Sequence, residues 1–155
     1  MKLFTYGSSH ANEWITTPLI MKFVETYCDA YITSGDISGI SSKTIFDKSS
    51  LFIVPMLNPD GVDLVTNNIN IDSTYYINAK TTSANFPNIP FPSGWKANIT
   101  GIDLNLQFPA LWDEAKRIKY AQGYTKPAPR DFVRKIPSRS SRVNCYIRFY
   151  YKSQL

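Results

Sequence analysis

The chain has 155 residues, 43% of them hydrophobic and 19% charged, which is enough for one domain with a real core and unlike a disordered protein. No apolar run reaches the length of a membrane span, and Met1 to Thr5 lacks the apolar segment of a signal peptide, so neither a membrane partner nor a compartment is encoded. The net charge of +5 is local: residues 132–155 hold six basic residues and no acidic one, leaving 11 basic against 12 acidic elsewhere, a net of −1, so no nucleic-acid partner is expected.

Residues 1–6 are apolar-leaning, with Leu3, Phe4 and Tyr6, and Gly7-Ser8-Ser9 breaks them as a strand end would. Ile15, Leu19, Phe23, Tyr27 and Tyr31 then recur every four residues, with Val24, Cys28 and Ile32 beside them. That spacing predicts an amphipathic helix of about 18 residues. Pro18 falls early enough to be tolerated, because first-turn amides have no helical partner. Cys28 is expected on the buried face of this helix, and with Cys145 it makes no disulfide framework.

Between strand and helix lie His10, the only histidine, and Glu13. A three-residue offset at a strand-to-helix turn points both side chains the same way. A converging imidazole and carboxylate suit Zn2+, which takes both donors in tetrahedral geometry. A surface histidine beside a glutamate favoured by a helix dipole would have the same spacing.

Residues 34–50 are rich in Ser, Gly and Asp and read as a connection with one short turn of helix. The apolar run from Ser50 to Leu57 fits a central strand, and Asn58-Pro59-Asp60-Gly61 reads as a turn. Strand, helix, strand in this order implies an α/β fold with a mixed or parallel sheet and flanking helices. Residues 67–98 are polar and aperiodic, and read as a long loop. Residues 110–121 predict a further helix.

Gly-Ser-Ser-His-Ala-Asn-Glu-Trp-Ile-Thr (residues 7–16) resembles the first zinc-binding motif of the zinc metallocarboxypeptidases, H-x-x-E-W-I-T. The run closing in Asn58-Pro59-Asp60-Gly61 resembles that family's P-x-x-N-P-D-G, which carries no ligand and shapes the floor near the site. Residues 95–105, from Trp95-Lys96-Ala97-Asn98 to Gly101-Ile102-Asp103-Leu104-Asn105, resemble the W-K-A-N…G-[VI]-D-L-N block. There the last Asn grips the carboxylate of a peptide, a role that would fall on Asn105. Leu106 stands where the family usually has Arg, and Thr100 where it often has another. Leu106-Gln107-Phe108-Pro109 and the loop at residues 123–132 are similar instead to a bacterial branch, the γ-D-glutamyl-meso-diaminopimelate peptidases. The resemblance covers residues 1–133, an incomplete catalytic domain.

Past Val133 the pattern stops, and residues 134–155 form a basic tail without helical or strand periodicity. A change of reading frame accounts for it, since codons permitted for residues 136–155 can be chosen that encode an acidic-then-apolar amphipathic helix in a shifted frame. The alternative is an evolved basic and aromatic tail that binds anions.

The resemblance implies a zinc-dependent peptidase with a peptide or peptidoglycan stem-peptide substrate, His10 and Glu13 as metal ligands and Asn105 as a substrate-binding residue. The family's zinc takes two histidines and one glutamate, and a further glutamate acts as base. His10 is the only histidine, so the third ligand is missing and this chain alone is expected to be inactive. The competing reading is a non-catalytic binder that holds an anionic peptide or cell-wall fragment with Asn105, residues 67–98 and the tail. Neither reading fixes an oligomeric state.

Overall fold

The computed structural model describes residues 1–135, so the sequence expectations for the tail lie outside the described residues, apart from Arg134 and Lys135. Strand β1 (Lys2–Tyr6) pairs in parallel with the strand expected near residue 51, Ser50–Val54, in the register Lys2↔Ser50 to Tyr6↔Val54. Helix α1 (Thr16–Ile32) lies between them in sequence. An α/β fold with a parallel sheet is thus present, with Phe4 and Phe52 stacked at 4.6 Å across it.

The connection at residues 34–50 is more ordered than expected. It holds a hairpin, β2 (Asp36–Ile37) and β3 (Ile40–Ser41), then α2 (Ser42–Lys48) leading into β4 (Ser50–Val54). Ser38 and Gly39 both take positive φ, 52° and 78°, which a two-residue hairpin turn requires because it must follow the twist of its strands.

Asn58-Pro59-Asp60-Gly61 is not a free-standing turn but the start of helix α3 (Pro59–Val65). Asn58 caps it, Pro59 sits where no backbone amide is needed, and Asp60 faces the positive helix end. Residues 67–98 are likewise not one loop, since they contain α4 (Thr74–Ser83), capped by Ser73 Oγ accepting from the Tyr76 amide at 3.2 Å. This helix buries the small Ala79 and Ser83 and exposes Tyr75 and Ile77, so no apolar stripe marks it in the sequence. Helix α5 (Trp112–Ala121) falls where expected, with Asp113 and Glu114 in its first turn.

Helix α1 departs from expectation in its packing. None of its residues is buried, and Leu19 and Phe23 are 68% and 44% exposed. Cys28 is exposed rather than buried. The reason is width: two strands about 5 Å apart cannot cover a helix about 25 Å long. Phe46 of α2 covers the C-terminal half of the helix, its ring 4.3 Å from that of Tyr31.

The main core lies elsewhere, under the His10 turn. Ala11, Leu64, Ala79, Trp95 and Ala97 form one buried cluster, joined by Tyr76, Phe91 and Ile99. Leu57 and Leu104 form a second, against Tyr6, Val54 and Phe108 at the end of the sheet. Both clusters thus brace the segments that carry the sequence motifs. No described helix is long and apolar enough to cross a membrane.

Candidate metal centre

The site begins where β1 ends. Gly7 continues the sheet ladder, its amide donating to Val54 O at 3.0 Å and its carbonyl accepting from the Leu57 amide at 2.9 Å. A Cβ at Gly7 would lie 2.5 Å from the Pro55 carbonyl oxygen, so the crossing admits only glycine. Ser8, in the left-handed region at φ 49°, turns the chain away. Its amide donates to Thr16 Oγ1 at 2.7 Å, and Thr17 Oγ1 donates to Pro55 O at 2.8 Å, fastening the start of α1 to the end of β4.

Residues 11–13 then form one 3-10 turn. The Ala11 and Asn12 amides donate outward, to Lys96 O at 2.9 Å and Trp95 O at 3.2 Å. The turn is therefore pinned to the Trp95-Lys96-Ala97 segment, and Ala11 is fully buried against Trp95.

His10 and Glu13 converge as the spacing predicts, with Nδ1 of the imidazole 3.1 Å from Glu13 Oε1. The other ring nitrogen, Nε2, lies 3.4 Å from Asp103 Oδ1. Asp103 is 3% exposed, and its carboxylate also accepts from the Asn105 amide at 3.2 Å and the Asp131 amide at 3.0 Å. Lys96 Nζ reaches Glu13 Oε1 at 3.0 Å.

These contacts set the charges. The hydrogen bond to Asp103 raises the pKa of His10; burial opposes the rise, and Glu13 adds to it. Burial alone would raise the pKa of Glu13, but hydrogen bonds from Lys96 and His10 outweigh it and hold the carboxyl below its ordinary value. Asp131 behaves alike: burial pushes it up, while Lys119 at 2.7 Å and Arg130 at 2.6 Å bring it down.

The donor chemistry fits the first two positions of a His and Glu metal set. Carboxylates face both ring nitrogens; with a cation between Nδ1 and Glu13 Oε1, the ring proton would stay on Nε2 towards Asp103, leaving the Nδ1 lone pair for the cation. The third position has no candidate: among the described residues no group of three or more His, Cys, Asp or Glu could hold a metal ion.

Asn105 is exposed in a 3-10 turn, Leu104–Gln107, and its backbone amide bonds to the carboxylate that holds His10. Thr100 is exposed too, its hydroxyl donating to Asn98 Oδ1 at 2.9 Å. Sequence reasoning missed Asp103 and Lys96. Both stand inside motif blocks already singled out, Asp103 two positions before Asn105, but only folding brings them to the His10 turn.

The comparisons with known proteins bear on the family. The zinc carboxypeptidase family pattern matches residues 2–145. The chain is 42% identical over 131 residues to gamma-D-glutamyl-L-diamino acid endopeptidase 1 of Lysinibacillus sphaericus, covering 84% of this chain and 31% of that protein. It is 40% identical over 131 residues to the uncharacterized protein YqgT of Bacillus subtilis, covering 84% of this chain and 33% of that one. A zinc carboxypeptidase of Saccharothrix mutabilis subsp. capreolus matches at 36% over 61 residues, 39% of this chain and 13% of that one. The chain thus spans about a third of the length of the first two relatives. No solved structure gives a significant match. A family match over nearly the whole chain, with its His and Glu motif folded into a convergent pair, means that the chain belongs to the zinc carboxypeptidase family.

Proposed function

We propose that this chain carries part of the catalytic site of a zinc-dependent peptidase that hydrolyses peptidoglycan stem peptides. His10 Nδ1 and Glu13 Oε1 serve as two zinc ligands, Asp103 holds the imidazole by Nε2, and Asn105 binds a substrate carboxylate. The observation that carries the reading is the convergence of His10 and Glu13 at 3.1 Å with Asp103 on the far nitrogen. The substrate class is supported by the activity in the name of the Lysinibacillus sphaericus relative, a γ-D-glutamyl-L-diamino acid endopeptidase.

Zinc in such a site polarises a carbonyl and makes bound water acidic. The residues of this chain do the preparatory work. Asp103 fixes the ring, the Asn105 amide steadies Asp103, and the exposed Asn105 side chain is turned outward for a polar ligand. With one histidine in the sequence and two donors in place, the chain binds zinc weakly and is inactive by itself.

The test is zinc titration of the 155-residue chain beside incubation with a γ-D-glutamyl-diamino acid peptide. Weak zinc binding that His10→Ala abolishes, with no hydrolysis, is the expected result. Binding indifferent to both His10→Ala and Glu13→Gln would refute the ligand assignment, and chelator-sensitive hydrolysis would refute the inactivity. The donor count favours a second reading, a non-catalytic binder of anionic peptide or cell-wall fragments. Its mark is peptide affinity that survives removal of metal.

A further inference from the structure

Asn58 is fully buried, which is costly for an amide unless its hydrogen-bonding atoms are all engaged. Its Oδ1 caps α3 by accepting from the Gly61 amide at 3.2 Å. A cap alone does not explain the residue, because Ser or Asp caps a helix as well from the surface.

The donor end points the other way, into the metal-motif turn. Nδ2 lies 3.2 Å from Ser9 O, 3.1 Å from Ala97 O and 3.4 Å from Lys96 O. With two hydrogens to give, it serves the Ser9 and Ala97 carbonyls best and shares with Lys96. Ser9 immediately precedes His10. Lys96 belongs to the segment that receives the Ala11 amide, and its ammonium meets Glu13. One amide therefore ties together the two backbone segments on either side of the His10 and Glu13 pair.

Gly61 is a second, independent sign. A Cβ there would come within 2.6 Å of Ala97 O and 2.7 Å of both Asn58 Nδ2 and Oδ1. Gly61 has an ordinary helical φ, so its lack of a side chain serves this space rather than backbone freedom.

We infer that Asn58 is a positioning residue, whose amide holds residues 9–13 against residues 95–97 so that His10 and Glu13 converge, separately from its role as a helix cap. The metal part of this inference rests on the reading of that pair as zinc ligands.

Asn58→Ser separates the two roles: the hydroxyl can still accept from the Gly61 amide but is too short to reach Ser9 and Ala97. In the full chain at fixed pH, this variant should bind zinc about tenfold or more weakly, in line with the loss of outer-shell support. It should also shift the imidazole nitrogen resonances of His10 in the metal-free protein, readable because there is one histidine. Ser42→Ala removes a part-buried hydrogen bond from the start of α2 to Ala30 O in α1, and should lower stability without moving those resonances.

Wild-type zinc affinity together with unmoved His10 resonances in Asn58→Ser would overturn the inference. Should the wild type bind no zinc, the ligand reading fails, and the His10 resonances alone still decide the positioning role. Should Asn58→Ser fail to fold, Gly61→Ala, which crowds both ends of the same amide, gives the same two readouts. In the wild type, the Asn58 side-chain amide protons should exchange slowly with solvent, and exchange at the rate of a free asparagine would also refute the inference.

Discussion

Lys96 Nζ lies 3.0 Å from Glu13 Oε1, the same oxygen that faces His10 Nδ1 at 3.1 Å. A cation of the chain itself already sits on one of the two candidate ligands. Replacing it with the neutral, similarly shaped Lys96→Met should therefore raise zinc affinity. Glu13 is about half exposed, so the pair is screened and worth ~1 kcal/mol or less, a gain of about two- to fivefold. Chelator competition at low and high salt measures it, with the gain shrinking as salt rises. A loss of affinity would mean that Lys96 aims Glu13 rather than competing for it.

Asp103 holds three partners on one buried carboxylate: His10, the Asn105 amide and the Asp131 amide. Asp103→Ala should lower zinc affinity by about 10–100-fold, as loss of an outer-shell carboxylate does elsewhere. It should also cost ~2–3 kcal/mol in urea unfolding, because two backbone amides lose their acceptor. Unchanged zinc affinity in a folded variant would remove Asp103 from the site.

Asp131 gives the stability part of its acid dependence. Its carboxyl is held below the ordinary aspartate value, so its contribution is present above that value and is lost as pH falls through the lower, folded one. Asp131→Asn should cost ~1–2 kcal/mol at pH 7, after allowance for the part-exposed Arg130, and less at pH 3. Asn tolerates the left-handed φ of 67° at this position, so the difference isolates charge from backbone strain. Urea unfolding of both proteins at the two pH values checks it.

Gly7→Ala should cost at least ~2 kcal/mol, because the new Cβ would meet the Pro55 carbonyl and not a side chain that could swing aside. Thermal unfolding of the purified variant measures the loss. A cost near zero would mean that the junction of β1 and β4 is looser than its hydrogen bonds indicate.

The two long strands, α1 and α5 were legible because each carries an apolar run or stripe that local pattern alone reveals. Helix α4 was not, because it buries Ala79 and Ser83 and shows Tyr75 and Ile77 to solvent, the reverse of the usual signal. Asn58-Pro59-Asp60-Gly61 carries the same residues whether it turns or starts a helix, and the four-residue helical continuation decides between them. Cys28 was misplaced because a periodic stripe says which residues share a face and not whether anything covers it. At the site, His10 and Glu13 could be paired from their offset of three, which is local geometry. Asp103 and Lys96 could not, since each depends on a fold that brings positions more than 80 residues apart together.

Those long spans also order events in time. Asn58 reaches Ser9 across 49 positions and Ala97 across 39, and Glu13 reaches Lys96 across 83. Each closure costs chain entropy before its contact returns anything, so helices and the hairpin should form early and the His10 turn late. A zinc ion would then find its two donors assembled only after the rate-limiting step. Added to refolding chain, it should leave the folding rate unchanged and act instead by slowing unfolding, lengthening the life of the folded state.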